Sequence, residues 1–483
     1  MAKVLLLQPW QFRSERHKAN PYGAWRNGPY SLVLLGGILK KEGHEVKIVD
    51  LECVLHSPQC SNNPDILLSM LDNIVKDFTP DIVGVSFFSI HWVEVKRMVQ
   101  SLRNSFKKYG IQPLLVAGGI HATSEPQNTL EDLGFDYVFI GEADTSIIKL
   151  ANGQDPKTIP GVYEKSFFHS HDDKVLITNN PGKGFTSSVR KGEEIENLDD
   201  LPFIDWTMCD YNFYSHPSHA IHGKVNSRTR SLDLMMTRGC VFKCKFCAYS
   251  FLSKMRTYSG EYLFEQVKYL VKTTGVRTIY FTDSTVGNGP KALTTFSELM
   301  ASSGLGDQVH WMTNIRANQI SEKRLKLMWN AGCRLLLYGF ESGSQRILDN
   351  MKKQITVERN IQAAEMHNRL KFPYFSSIMF GNIGETEEEI RMTIDFMKHV
   401  KPPRCGVNCY VPLPGSPDYD ELKAAGRIDI KDPRLWREIG EVNSNRIYAD
   451  IDRQQFMKLF SEANAVANSF PNWIPSAWND TKN

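Results

Sequence analysis

The stretch MMTRGCVFKCKFCAYS, residues 235–250, places Cys240, Cys244 and Cys247 within eight positions, as CxxxCxxC. Thiolates clustered this way read as metal ligands in a reducing compartment. A structural zinc site closes with four protein ligands, and a cubane iron–sulfur cluster has four irons that each need one outer ligand. Three cysteines leave one position to fill. Either a distant residue completes the set or a small molecule ligates the metal directly, and the trio alone does not choose.

The trio follows LDLMMT (232–237), the first apolar run of a regular series. After it come RTIYFTD (277–283), VHWMTNIR (309–316), RLLLYGFES (334–342), YFSSIMFG (374–381) and CGVNCYVPL (405–413), separated by helical segments. Six strand–helix units predict a parallel barrel or partial barrel, a (β/α)6 arrangement. Barrel chemistry sits on the loops after the strands. The trio lies there, and so do Asp283, Arg316, Glu341 and the turn GNIGET, which contains Gly381, Gly384 and Glu385. Each alone reads as a cap, a surface charge or a turn. Together on one rim they point to a site.

Upstream, KVLLLQP (3–9), EVKIVD (45–50), DIVGVSFFS (81–89), PLLVAGG (113–119) and DYVFIGE (136–142) alternate with helices. Short Val/Ile/Leu strands without alternation predict a parallel sheet covered on both faces, a doubly wound Rossmann-like α/β domain. Such sheets bind ligands at the carboxyl ends of their strands. Trp10, Ser86, Gly118, Gly119, His121 and Glu142 fall at those ends, as does His91. No GxGxxG follows the first strand, which argues against a dinucleotide.

The predicted organisation is therefore a doubly wound domain over 1–150, a connector with a small hairpin over 151–230, a partial barrel over 231–425 and a short helical cap over 426–483. The hairpin reading rests on PGVYEKSFFHSHDDKVLITNN (160–180). Histidines 169, 171, 216, 219 and 222 crowd the connector without a ligand spacing that pairs with the cysteines. Phe456, Leu459, Phe460 and Ala463 form a helical apolar stripe that reads as core.

The chain of 483 residues carries a formal net charge of +3 and no long run of one sign, so no nucleic-acid partner is expected. Its nine cysteines are odd in number and mostly scattered, unlike a disulfide framework. The N-terminus MAKVLLLQPW lacks a signal-peptide core, and no apolar run is long enough to span a bilayer. A cytoplasmic protein is expected.

The first segment resembles the cobalamin-binding domain found at the N-terminus of many radical S-adenosylmethionine enzymes, through GPYSLVLLGGILKKEGHEVKIVD, DIVGVSFFS, VAGGIHAT and FIGEAD in that order. No DxHxxG follows its first strand, so no histidine of that motif would ligate cobalt. CxxxCxxC with Phe246 before the third cysteine resembles the radical S-adenosylmethionine superfamily. YGFESGS, MFGNIGET and PLPGSPDYD fit its cobalamin-domain branch, and the resemblance spans roughly residues 1–425.

That resemblance implies a [4Fe-4S] cluster on Cys240, Cys244 and Cys247, whose fourth iron takes S-adenosylmethionine (SAM). It implies Phe246 and Gly381 to Glu385 near the adenine, Glu341 at the ribose, and Asp283 and Arg316 toward the methionine. TDSTVGN departs from the glycine-glycine-glutamate common after the second strand. Trp10, Ser86, Gly118, Gly119, His121 and Glu142 would face cobalamin.

The implied activity is reductive cleavage of SAM to a 5'-deoxyadenosyl radical, fed by a flavodoxin- or ferredoxin-type donor. Its outcome would be cobalamin-dependent methylation of an unactivated carbon of a small molecule: a natural product, lipid or tetrapyrrole. A non-methylating radical reaction (epimerisation, dehydration or ring closure) with a vestigial cobalamin domain is the alternative within the branch. Epimerisation would need a hydrogen donor, for which Cys405 and Cys409 are candidates, although their spacing on one strand face suits core packing. A non-catalytic iron–sulfur sensor or electron carrier is the alternative outside it.

Overall fold

The computed structural model describes residues 1–11, 26–170, 189–217, 228–249, 254–430, 432, 435 and 447–470. Its first sheet contains β1 (Lys3–Gln8), β2 (Glu45–Asp50), β3 (Ile82–Ser86), β4 (Leu114–Gly118), β5 (Tyr137–Phe139) and β6 (Val162–Glu164), in the order β2-β1-β3-β4-β5-β6. All neighbouring pairs are parallel except β5 with β6. Val4 to Leu7 are buried without alternation, as a strand covered on both faces requires. The strand order reverses between β1 and β3, which opens a crevice at their carboxyl ends.

Local chemistry fixes the connecting helices. Asn63 caps helix Pro64–Phe78 through its side chain, with proline in the first turn, and helix Trp92–Tyr109 stops at left-handed Gly110. The hairpin expected over 160–180 is not what the described residues form. Val162–Glu164 instead pairs antiparallel with β5 and covers the sheet edge, and helix Lys165–Ser170 follows. Residues 171–180 of that expectation lie outside the described residues, as do His171, His219 and His222. In the connector, β7 (Ser215–Pro217) pairs with β8 (Arg228–Arg230).

The second sheet holds β9 (Leu232–Leu234), β12 (Thr278–Phe281), β13 (His310–Asn314), β14 (Cys333–Glu341), β15 (Tyr374–Phe380) and β16 (Arg404–Cys409), all parallel and in chain order. This is the expected six-stranded partial barrel. The run expected as one strand over 232–237 is split. Thr237–Arg238 (β10) leaves the sheet to pair antiparallel with Arg256–Thr257 (β11), so the cysteines sit in the loop of a small ribbon.

Serine or threonine side chains cap the barrel helices at Ser259, Ser321, Thr356 and Thr386, and Thr386 forms a capping box with Glu389. Helix Arg453–Ser469 buries Phe456, Leu459, Phe460 and Ala463. It packs on β16 and on helix Glu387–Val400. One apolar core runs continuously from Val4 and Leu32 in the first sheet layer to Leu232 and Phe281 in the barrel. The two units are thus packed on each other. A polar contact crosses the same boundary, Gly28 N donating to Asp233 Oδ2 at 3.0 Å, and Tyr214 Oη ties the connector to the first sheet by donating to Asp50 Oδ2 at 3.1 Å.

Candidate functional site

The cysteine loop is held by its backbone. Cys247 N donates to Cys244 O at 3.2 Å, Lys245 N to Met351 O at 2.9 Å, and Asp418 N to Lys245 O at 3.1 Å. Lys245 also pairs with Asp418 and Glu421 at 3.3 and 2.8 Å. Cys240 and Cys244 are buried, Cys247 is half-buried, and all three are free thiols. Asn288 Nδ2 lies 3.6 Å from Cys240 Sγ, and Arg316 Nη1 lies 3.9 Å from Cys244 Sγ.

Among the described residues no three His, Cys, Asp or Glu side chains gather as ligands of one metal ion. A four-iron cluster asks for something else, since it spreads its thiolates over separate irons. Three free cysteines on one short loop suit that demand. Burial pushes the Cys244 thiol up, and Lys353 and Arg316 pull it back toward the thiolate that iron requires. Among the described residues Arg316 Nε is buried beside the loop without a partner, a donor available to an anionic group.

The rim residues assemble around this loop. Arg316 lies over the Phe242 ring, its guanidinium carbon 3.7 Å from the centroid. Its Nη2 donates to the carbonyls of Lys353 and Gln354. Lys353 in turn donates to Glu341 Oε1 at 2.7 Å and stands 5.4 Å from the Phe246 centroid. Sequence reasoning missed Lys353 and Phe242. Lys353 sits in a turn whose flanking Lys352 and Gln354 adopt positive φ, and nothing in NMKKQ marks that turn.

Asp283 is placed beneath the loop rather than opening toward it. Its carboxylate accepts from Met236 N, from Thr237 N at 2.5 Å and from Thr237 Oγ1 at 2.6 Å. It therefore fixes the start of the cysteine ribbon, and burial raises its pKa to about 6. Glu385 Oε2 accepts from Gly381 N at 2.6 Å and Asn382 N at 3.0 Å, folding the 381–385 turn on itself. Gly381 and Gly384 have φ of +83° and +69°, a region that favours glycine.

A cavity of about 240 Å³ lies where the first sheet meets the ribbon. Gly84, Ser86, Gly118, Gly119 and Glu142 line it from one side, and Met235, Arg238, Gly239 and Tyr249 from the other. A second cavity of about 460 Å³ shares Ser86, Gly119, Gly239 and Tyr249 and extends to His91, Asp233 and Ser284. Gly119 has φ +90°, and a Cβ there would lie 2.9 Å from the backbone of Phe87. The glycine lets the loops after β3 and β4 close on each other.

Two candidates for this cleft are corrected. Trp10 is 3% exposed within the apolar core and lines neither cavity. His121 is fully buried, its Nδ1 2.9 Å from Ser89 Oγ and its Nε2 3.3 Å from Asn128 Oδ1. Both ring nitrogens are satisfied internally, and burial lowers its pKa to about 4. The cause is local: helix Gly119–Ser124 turns residue 121 inward. Glu142 does line the cleft, but both its oxygens are engaged by Arg238 and Arg256. His169 pairs with Glu131 at 2.8 Å. Cys405 and Cys409 are half-buried against the core, and burial pushes their thiols up to about 12 and about 11.

Comparison with known proteins matches this geometry. Residues 234–397 match the Radical SAM superfamily and residues 27–151 match the B12 binding domain. The chain belongs to the radical SAM superfamily. Within it, the chain is of the branch that carries an N-terminal B12-binding domain, and its cofactors are a [4Fe-4S] cluster, SAM and cobalamin.

It is 26% identical over 395 residues to an uncharacterized methyltransferase of Pyrococcus horikoshii, covering 80% of this chain and 77% of that one. It is 24% identical over 500 residues to cytidylyl-2-hydroxyethylphosphonate methyltransferase of Streptomyces wedmorensis, covering 97% and 90%. The structure of the radical SAM methyltransferase TsrM from Kitasatospora setae, with cobalamin and [4Fe-4S] cluster bound, shares the fold. Its TM-score is 0.64 at 17% identity, with coverage of 88% and 78%.

Proposed function

We propose that this protein is a cobalamin-dependent radical SAM methyltransferase acting on an unactivated carbon of a small molecule. The observation that carries the reading is the shared cleft. Arg238 and Gly239, at the start of the cysteine loop, and the carboxyl ends of the first sheet line one cavity, so a cofactor held there would lie beside the cysteine loop. When bound, the cluster supplies an electron for SAM cleavage and cobalamin carries a methyl group.

In this reading Cys240, Cys244 and Cys247 ligate three irons. Phe246, Arg316, Glu341, Gly381, Gly384 and Glu385 surround SAM. Ser86, Gly118 and Gly119 would hold the corrin, and the absence of side chains on the glycines would let a large planar ligand approach the backbone. Asp283 acts indirectly, by holding Met236 and Thr237. A flavodoxin- or ferredoxin-type protein would deliver the electron.

Relatives are named for substrates as different as cytidylyl-2-hydroxyethylphosphonate, bacteriochlorophyllide d and magnesium-protoporphyrin IX monomethyl ester. The substrate of this chain is a natural product, lipid or tetrapyrrole in this reading. The test is anaerobic reconstitution with iron, sulfide and hydroxocobalamin, followed by removal of unbound ligand. Near-stoichiometric cobalt, with S-adenosylhomocysteine formed from SAM under reducing conditions, supports methyl transfer. An intact cluster that cleaves SAM without retaining cobalt would point to a non-methylating radical reaction.

A further inference from the structure

The ribbon that carries the cysteine loop sets two arginines face to face. Arg238 and Arg256 are cross-strand partners in β10–β11, and like charges directly opposite on paired strands repel. Their side chains are only 11% and 4% exposed, so solvent does little to screen them. The neutralising carboxylates come from outside the ribbon, Glu142 serving both arginines, Asp144 Arg238 alone and Glu194, at 4.0 Å, Arg256 alone. Glu142, on the loop after β5, accepts from Arg238 Nη1 through Oε2 at 2.7 Å and from Arg256 Nη2 through Oε1. Asp144 accepts from both terminal nitrogens of Arg238, at 2.8 and 3.0 Å. Arg256 also donates to the carbonyl of Ile195 at 2.6 Å.

We propose that Glu142 is a positioning residue that locks the cysteine ribbon onto the first sheet by bridging two opposed arginines. Arg238 stands two residues before Cys240, so the lock sets where the cysteine loop lies relative to Ser86, Gly118 and Gly119. The consequence for chemistry rests on the methyltransferase reading. With the lock in place the SAM and corrin sites keep a fixed separation; without it SAM cleavage and methyl transfer lose their coupling.

The lock is tested in the full chain before any cofactor is added. Hydrogen exchange of residues 237–249 is expected to rise by about tenfold or more in Glu142→Gln, while amides of β3 and β14 keep wild-type protection. E142Q/R256Q removes the opposed charge and is expected to recover most of the protection. Unchanged exchange in E142Q, or no recovery in the double variant, overturns the lock. In the reconstituted enzyme E142Q is expected to retain cobalt at the wild-type ratio and to form more 5'-deoxyadenosine per S-adenosylhomocysteine. Loss of cobalt with unchanged ribbon exchange would make Glu142 a cofactor contact and overturn the proposal. A wild-type enzyme that binds no cobalamin would overturn the methyltransferase reading and leave the exchange result standing.

Discussion

Lys353 donates to Glu341 across 2.7 Å, in a pair that is nearly closed to solvent and joins the end of β14 to a turn twelve residues later. Arg316 holds the same turn through the carbonyls of Lys353 and Gln354. Three rim positions are therefore mechanically one. Glu341 itself has φ +64°, an uncommon backbone for a side chain of its size, and the pair restrains it there.

Replacing Lys353 by Met leaves the Glu341 carboxylate buried without its cation. Losing one member of a buried pair costs about 3 kcal/mol or more. The urea midpoint of K353M should fall accordingly, and K353M/E341M should recover part of the loss. Equal losses in the single and double variants would show that the two side chains do not depend on each other.

Gly339 is glycine because this pair occupies the space above it. A Cβ there would fall on the Glu341 carboxylate and 3.0 Å from Lys353 Nζ. Overpacking of this kind costs about 1–3 kcal/mol. In G339A the cheapest relief is displacement of Glu341, so SAM affinity of the reconstituted protein should weaken by about tenfold, and the melting temperature should fall by the cost of disturbing the pair. Unaltered SAM binding would separate Glu341 from the SAM site.

The burial of His121 gives an independent check on the first sheet. H121A empties a fully buried position and leaves the Ser89 hydroxyl short of its partner, while Asn128 keeps Trp92 and Asp132, and should cost about 2–4 kcal/mol. The visible spectrum of bound hydroxocobalamin should match wild type. A shifted cobalt spectrum would mean that the imidazole reaches the metal.

How much of this was readable from the chain depends on the range of the interactions involved. The strands were legible because a doubly covered strand such as Val4 to Leu7 needs a continuous apolar run, and a barrel needs that run repeated. The cysteine spacing was legible for the same reason, being local. His121 was misread because strand-end position does not say which way a side chain turns once a helix begins at Gly119. The splitting of 232–237 and the roles of Lys353, Arg238 and Arg256 depend on partners 12 to 114 positions away, which periodicity does not encode.

Glu385 predicts the pH dependence. Its Oε2 accepts from Gly381 N and Asn382 N, while Oε1 is buried without a partner among the described residues. Burial raises its pKa from 4.5 to about 7, outweighing those donors. The folded chain thus holds this proton more tightly than the unfolded chain. The associated stability is complete below about pH 4.5 and is lost as pH rises through about 7, an effect of about 3 kcal/mol at most. Asp50, raised by burial to about 7, and Asp283, raised to about 6, push in the same direction, so the comparison must be internal. E385Q carries the neutral form at every pH and keeps an acceptor oxygen for Gly381 and Asn382. Urea midpoints between pH 5 and 8 should therefore fall less steeply in E385Q than in wild type. Parallel slopes would mean that Glu385 is ionised throughout, and that the turn beside the SAM site carries a full negative charge.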